Sequence, residues 1–242
     1  MKQNVAVLLA GGSGLRMGKE LPKQFLSIAG KTVLEHTLAV FEKHPGIDEI
    51  ALVVHPGYRE KTEKILAGKA FRKITHILDG GKERYHSTLR ALRAYRDRTC
   101  NLLIHDAVRP LVSARIIDDL LAALQHNRAA GAAIPEIDTV AEADPDTRQI
   151  RQILDRSRLF RMQTPQGFDR EVLQRAFDKA LADPAFTATD DCGVVKKYLP
   201  GEPVILIRGE ISNIKLTWPE DLVWIEKRLT AWNEGVQDGL MS

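Results

Sequence analysis

The sequence predicts an α/β fold, a mostly parallel sheet flanked by helices from which a β-hairpin arm protrudes. Three observations carry this. Short apolar runs of strand length alternate with segments of helical periodicity through the first 135 residues. Such alternation marks βαβ units, whose strands pair in parallel and are covered on both faces. The regularity then breaks at two polar, extended stretches joined by the turn sequence Asp144-Pro145-Asp146-Thr147. Finally, 242 residues with 44% hydrophobic content suffice for one full core, so residues 1–242 read as a single domain with an arm at about 136–158.

Each element has its own signal. Residues 5–10, 49–54, 73–78 and 101–104 are apolar runs that read as buried strands. Residues 32–43, 58–66 and 84–96 lie between them with helical periodicity, and residues 116–126 form a further helix. Ala132-Ala133-Ile134-Pro135 is another strand. Residues 136–143 and 148–155 are the two limbs of the arm, too polar for the central sheet. A hairpin this exposed either buries its sides against a second copy of the chain or stands free in solvent. Helical patterns return at 169–181 and 190–198, followed by a strand at 203–208 and a last helix at 219–232.

Bulk composition excludes several classes. Thirty-five basic and 32 acidic residues give a net charge of +3, too balanced for a nucleic-acid binder and without a long basic run. Cys100 and Cys192 are isolated, so there is no zinc or dithiol motif, and both read as reduced thiols. The amino terminus enters a strand at once with no signal-peptide pattern, and no apolar run is long enough to span a membrane. The expectation is a soluble, cytoplasmic protein.

The first strand runs into Gly11-Gly12-Ser13-Gly14-Leu15-Arg16-Met17-Gly18, with Pro22-Lys23-Gln24 just beyond. Four glycines in eight positions allow a sharp turn whose N–H groups approach a bulky ligand closely. Oriented N–H groups with Arg16 and Lys23 suit a triphosphate. A Walker A loop is excluded because Gly18-Lys19 is followed by Glu20, and a dinucleotide fingerprint because Met17 replaces its third glycine. The other reading is an ordinary β-to-α turn with spare glycines.

Ligands on parallel sheets sit at the carboxyl ends of the strands. There Asp106, in His105-Asp106-Ala107-Val108-Arg109-Pro110, can hold Mg²⁺ through one oxygen while phosphates supply others, or can cap a helix or pair with Arg109. Gly80-Gly81-Lys82-Glu83-Arg84, with Ser87, exposes backbone groups at the same edge. Thr164-Pro165-Gln166 constrains the backbone around a hydroxyl, and Thr189-Asp190-Asp191 reads equally well as a helix cap. Lys215, in an otherwise uncharged run, is either solvated or a third cation beside Arg16 and Lys23.

Together these motifs resemble the cytidylyltransferases that activate sugar-alcohol phosphates, over nearly the whole chain from Val5 to about Leu229. The resemblance rests on Ala10-Gly11-Gly12 with Gly14, Arg16, Met17 and Pro22-Lys23-Gln24; on Gly80-Gly81 through Arg84 and Ser87; and on residues 105–110. Gln163-Thr164-Pro165-Gln166, Thr189-Asp190-Asp191 and Asn213-Ile214-Lys215 complete it. It implies a Rossmann-like nucleotidyltransferase fold and transfer of CMP from CTP, with release of pyrophosphate. Arg16, Lys23 and Lys215 are then the catalytic cations, and Asp106 helps hold Mg²⁺. Ala10, Gly11, Gly12, Gly81, Lys82, Ser87, Asp106 and Ala107 meet CTP, although the position of Lys82 is often acidic in the family. Thr139 and Arg156 from a homodimer partner's arm, with Thr164, Thr189 and Asp190, meet the alcohol phosphate.

The substrate expected from the resemblance is 2-C-methyl-D-erythritol 4-phosphate, suggested by residues 154–159 and His105-Asp106-Ala107. The alternative, D-ribitol 5-phosphate, has parallels at residues 9–12 and 189–193. A non-catalytic nucleotide-binding regulator is disfavoured, because the charged groups that act on a transition state are all present. A sugar-1-phosphate nucleotidylyltransferase is disfavoured by Thr164-Pro165-Gln166 and Asn213-Ile214-Lys215.

Overall fold

The computed structural model describes residues 2–12 and 21–233. In chain order its elements begin with β1 (Gln3–Ala10), the two-residue strands β2 (Ser27–Ile28) and β3 (Lys31–Thr32), α1 (Val33–Lys43) and β4 (Glu49–Val54). Next come α2 (Arg59–Leu66), β5 (Ile74–Asp79), α3 (Arg84–Ala94), β6 (Cys100–Asp106), α4 (Ala114–His126) and β7 (Ala129–Pro135). The arm supplies β8 (Ala141–Ala143) and β9 (Ile150–Ile153). The chain continues through β10 (Phe160–Asp169), α5 (Arg170–Leu181), α6 (Asp191–Tyr198), β11 (Ile205–Arg208) and α7 (Pro219–Asn233).

Seven strands form the central sheet in the order β11-β7-β10-β6-β1-β4-β5. Its pairings are parallel except those of β10, which runs antiparallel between β6 and β7. Strand β1 shows why the sheet is buried on both faces. Val5, Val7 and Leu9 belong to a core with Leu92 of α3 and Val172 and Phe177 of α5. Ala6, Leu8 and Ala10 belong to the opposite core, with Leu34 and Leu38 of α1 and Ile116 and Leu120 of α4. The strand period of two thus sends alternate residues to two helical layers. A third cluster joins α7, through Ile225 and Leu229, to Ile28, Val33, Leu111 and Leu216.

Side-chain caps set where several helices begin. Thr32 and Glu35 form a capping box on α1, and Ser113, Asp169 and Asp190 cap α4, α5 and α6. From β1 the chain moves outward to β4 and β5, then crosses back to β6 on the other side of β1. That reversal opens a crevice beyond the carboxyl ends of β1 and β6, where such sheets bind ligands.

The structure departs from the sequence reading in places. Strand β10 was not expected, because Gln163, Thr164, Pro165 and Gln166 interrupt any apolar pattern. Its register against β7 shifts between Met162 and Gln166, a span containing the cis Thr164–Pro165 peptide. Strand β7 starts at Ala129 rather than 132, and the paired limbs of the arm, β8 and β9, are shorter than expected. No helix among the described residues is long and apolar enough to cross a membrane.

Candidate active site

A cleft of about 500 Å³ opens at this switch point. Ala10, Gly11 and Gly12 line it from the end of β1, and Gly81, Lys82 and Ser87 from the turn and helix after β5. Lys23, Asp106 and Lys215 complete its charged side. Arg16 lies outside the described residues.

Close backbone approach explains the glycines. A Cβ on Gly11 would lie 3.1 Å from Ser87 Oγ, and one on Gly81 would meet His86 Cβ at 2.5 Å. The turn at Gly81 therefore has no room for a side chain and Gly11 packs tightly on Ser87, while Gly12 is open to the cleft, so both turns present main chain to it. Gln24 fixes the first turn from behind: its Nε2 donates to the carbonyls of Ala10 at 2.8 Å and Gly12 at 3.1 Å. Sequence reasoning named Gln24 in the Pro22-Lys23-Gln24 motif but gave it no role, because its buried amide acts only once the turn is folded.

Asp106 is the electrostatic centre. Its Oδ1 accepts from Arg84 Nε at 3.1 Å, its Oδ2 from Lys215 Nζ at 2.8 Å, and Arg109 Nε lies 3.8 Å away. Burial alone would raise its pKa, but these three cations hold the carboxyl well below the usual carboxylate range. Arg84 also donates to Asp191 Oδ2 at 2.5 Å. Desolvation opposes its charge, yet the two carboxylates raise its pKa above the ordinary arginine value. Asp106 is thus an ionised oxygen donor at every ordinary pH.

The loop bearing Lys215 is tied to the strand ends. Arg109 Nη1 donates to the Asn213 carbonyl at 2.6 Å, Leu216 N to the Val108 carbonyl at 2.9 Å, and Asn213 Nδ2 to the Thr164 carbonyl at 2.8 Å. Lys23 donates to the carbonyls of Leu216 and Thr217 at 3.3 and 3.1 Å. Two of the three cations expected at the site are therefore anchored to one loop.

Thr164 and His105 form a buried brace. His105 Nε2 bonds the Arg109 carbonyl at 3.2 Å, so that nitrogen must carry the proton and Nδ1 must accept. Nδ1 then accepts from the Thr164 hydroxyl at 3.0 Å, while that oxygen accepts from Asp106 N–H at 3.1 Å. The Thr164 hydroxyl points its proton into the protein and orients the backbone of Asp106.

Other expected residues separate. Ala107 is buried at the cleft's base and is not among the residues that line it: its N–H donates to the Leu9 carbonyl at 3.0 Å and its carbonyl accepts from Thr37 at 2.8 Å. Asp190 takes the capping alternative: it caps α6 through Gly193 N at 2.8 Å and accepts from Gln166 Nε2 at 2.7 Å. Thr189 is exposed beside it. Thr139 and Arg156 lie on the arm, exposed and away from their own cleft, with Arg156 Nη1 donating to the Ile137 carbonyl at 2.7 Å. Arg84 and Asp191 are the charged residues that the sequence reading left without a role; their pairing spans 107 positions and has no local signal.

The chain matches the family model described as IspD, 2-C-methyl-D-erythritol 4-phosphate cytidylyltransferase, over residues 4–231. It is 47% identical to the 2-C-methyl-D-erythritol 4-phosphate cytidylyltransferase of Thermobifida fusca (strain YX), covering 93% of this chain and 92% of that one. A bifunctional ribulose 5-phosphate reductase/CDP-ribitol pyrophosphorylase of Haemophilus influenzae is 44% identical, over 93% of this chain and 48% of its own length. Among solved structures, 4-diphosphocytidyl-2C-methyl-D-erythritol synthase from Anaerococcus prevotii DSM 20548 superimposes with a TM-score of 0.83 at 32% identity. That likeness covers 95% of this chain and 96% of the other.

Proposed function

The chain belongs to the 2-C-methyl-D-erythritol 4-phosphate cytidylyltransferase family, and from that premise we propose how its residues transfer CMP. An oxygen of the alcohol's phosphate attacks the α-phosphorus of CTP. That P–O bond forms as the α–β bridging bond breaks, and pyrophosphate leaves with the electron pair. The observation that carries this reading is the meeting, in one switch-point cleft, of two glycine turns with Lys23, Lys215 and an ionised Asp106.

The turns at Gly11–Gly12 and Gly81 offer backbone to the nucleotide, and Ser87 adds a hydroxyl with no hydrogen bond among the described residues. Lys23 and Lys215 face the triphosphate and oppose the charge that gathers on its oxygens, as does Arg16 in the sequence reading. Each such preorganised donor is worth about 2.7–4 kcal/mol in the transition state. Thr164 and His105 hold Asp106 in place for this task.

The residues present also fit Mg²⁺. Asp106 supplies one hard carboxylate oxygen inside the cleft, the donor type that suits Mg²⁺ when phosphates supply the rest. Bound there with phosphate oxygens, the ion would neutralise charge on the triphosphate.

The arm supports a homodimer. Ile137, Ile150 and Ile153 are 66, 65 and 57% exposed, and a two-stranded hairpin is marginal alone in water. Seating it on a second copy brings Thr139 and Arg156 to the partner's cleft, where Arg156 meets the alcohol phosphate.

The alcohol phosphate is 2-C-methyl-D-erythritol 4-phosphate on the strength of the family model and the Thermobifida relative. D-ribitol 5-phosphate is the second reading, favoured by the Haemophilus relative. Pyrophosphate release tests the activity: CTP with the methylerythritol phosphate should give rapid release, and CTP alone, or ATP or GTP with the same alcohol, little. Equal release from any nucleotide, or release without the alcohol, would remove the transferase assignment.

A further inference from the structure

Arg84 joins two carboxylates that come from different elements. Its Nε donates to Asp106 Oδ1 at 3.1 Å and its Nη1 to Asp191 Oδ2 at 2.5 Å. Asp106 lines the cleft; Asp191, with its side chain 1% exposed, does not. One carboxylate of the pair faces the cleft, and the other faces protein.

The two oxygens of Asp106 are held unequally. Oδ1 takes Arg84, whose side chain is 22% exposed, and Oδ2 takes Lys215, which is 43% exposed, with Arg109 Nε beyond hydrogen-bond reach of Oδ2 at 3.8 Å. A polyanion entering the cleft competes for both cations. The Lys215 ammonium is a rotatable point charge on a loop and can leave Oδ2 for a phosphate. Arg84 lacks that freedom, because Asp191 grips the far side of its guanidinium.

Asp191 is fixed in turn. It opens α6, and its N–H donates to Gln166 Oε1 at 3.1 Å. The grip is nonetheless unfinished: Arg84 Nη2 and Asp191 Oδ1 are both buried without a hydrogen-bond partner among the described residues. A strut kept for stability alone gains most by closing both arms, since a leftover buried donor or acceptor is costly.

We propose that Asp191 is a positioning residue for CMP transfer: through Arg84 it pins Asp106 Oδ1, so that Oδ2, once Lys215 turns to phosphate, keeps its direction in the cleft. The inference rests on the assignment of this cleft to CTP.

Asp191→Asn tests it, since the amide keeps the size and the backbone bond to Gln166 but weakens the hold on Arg84. Disturbing such an outer contact is expected to lower kcat about 10- to 100-fold. The KM for the alcohol phosphate should change little, more Mg²⁺ should be needed, and Asp191→Glu should recover part of kcat. Calorimetric titration with Mg²⁺ and CTP, without the alcohol, should show weaker binding than in the wild type. Unchanged kcat and unchanged CTP affinity in a variant that unfolds at the wild-type temperature would overturn the proposal. So would a raised KM for the alcohol phosphate at constant kcat, which would make Asp191 a substrate contact. If Asp191→Asn does not fold, Arg84→Lys, which keeps one cation but cannot span both carboxylates, must show the same losses, and wild-type behaviour there overturns the proposal. Wild-type protein that releases no pyrophosphate would defeat the cytidylyltransferase reading instead, while calorimetry would still judge the Asp191 coupling.

Discussion

At the scale of single residues, the site is a balance of one carboxylate against several cations, and two consequences are measurable. Lys23→Ala is expected to lower kcat about 10²- to 10³-fold, the cost of one preorganised donor. CTP affinity should fall less, because the glycine turns remain; near-normal turnover would contradict a transition-state role for Lys23. The second consequence is acid sensitivity. Desolvation of fully buried His105 presses its pKa down to about 3, with Asp106 only partly offsetting the effect. In the unfolded chain it titrates near about 6.5, so between those values the unfolded state binds more protons. Stability therefore falls as pH drops through that window, by at most about 1.4 kcal/mol per pH unit. Asp106 acts in the same direction at lower pH. Its depressed pKa contributes stability above the unfolded value of about 3.9, and this is lost as acidification proceeds toward the folded value. His105→Gln can keep both hydrogen bonds and should lose less stability than the wild type between pH 7 and 5. Thermal unfolding curves that shift in parallel would refute this.

At the scale of elements, the arm is where the proposed dimer is tested. If Arg156 serves the partner's cleft, Arg156→Ala should raise KM for the alcohol phosphate and leave CTP affinity intact. Mixing it with Lys23→Ala should then restore activity, because a mixed dimer contains one site with both residues native. Two variants that stay inactive together under subunit exchange would place Arg156 in its own chain's site. The elements also show what a sequence makes legible. Strands β1, β4 and β6 were readable because apolar residues fill consecutive positions, as burial on both faces demands, whereas β5, read as buried, is a half-buried edge strand. Strand β10 was hidden because its inner positions hold Gln163, Thr164 and Gln166, buried polar groups satisfied largely by distant partners. Asp190 and Asp191 were ambiguous for a related reason. Adjacent acids before a helix look alike, and only the fold sends one to cap α6 and the other to Arg84.

At the scale of the whole molecule, strand order makes the site. The reversal between β1 and β6 brings the glycine turn, Asp106 and the turn after β5 to one edge, and inserted β10 adds Thr164 and the anchor for the Lys215 loop. The alternation of strands and helices foretold that edge, while the individual residues expected there came from the glycine and acidic motifs and from the family resemblance. The interior contacts of Ala107 and Thr164 could not be foretold, because a motif names residues but not the direction of their hydrogen bonds. The central claim is that this cleft passes CMP from CTP to 2-C-methyl-D-erythritol 4-phosphate. The most direct measurement compares kcat/KM for that alcohol with kcat/KM for D-ribitol 5-phosphate, by pyrophosphate release at saturating CTP and Mg²⁺. The prediction is a ratio above about 10, the scale on which a pocket separates substrates differing by small groups. A ratio below one would contradict it and make the chain a ribitol-phosphate enzyme.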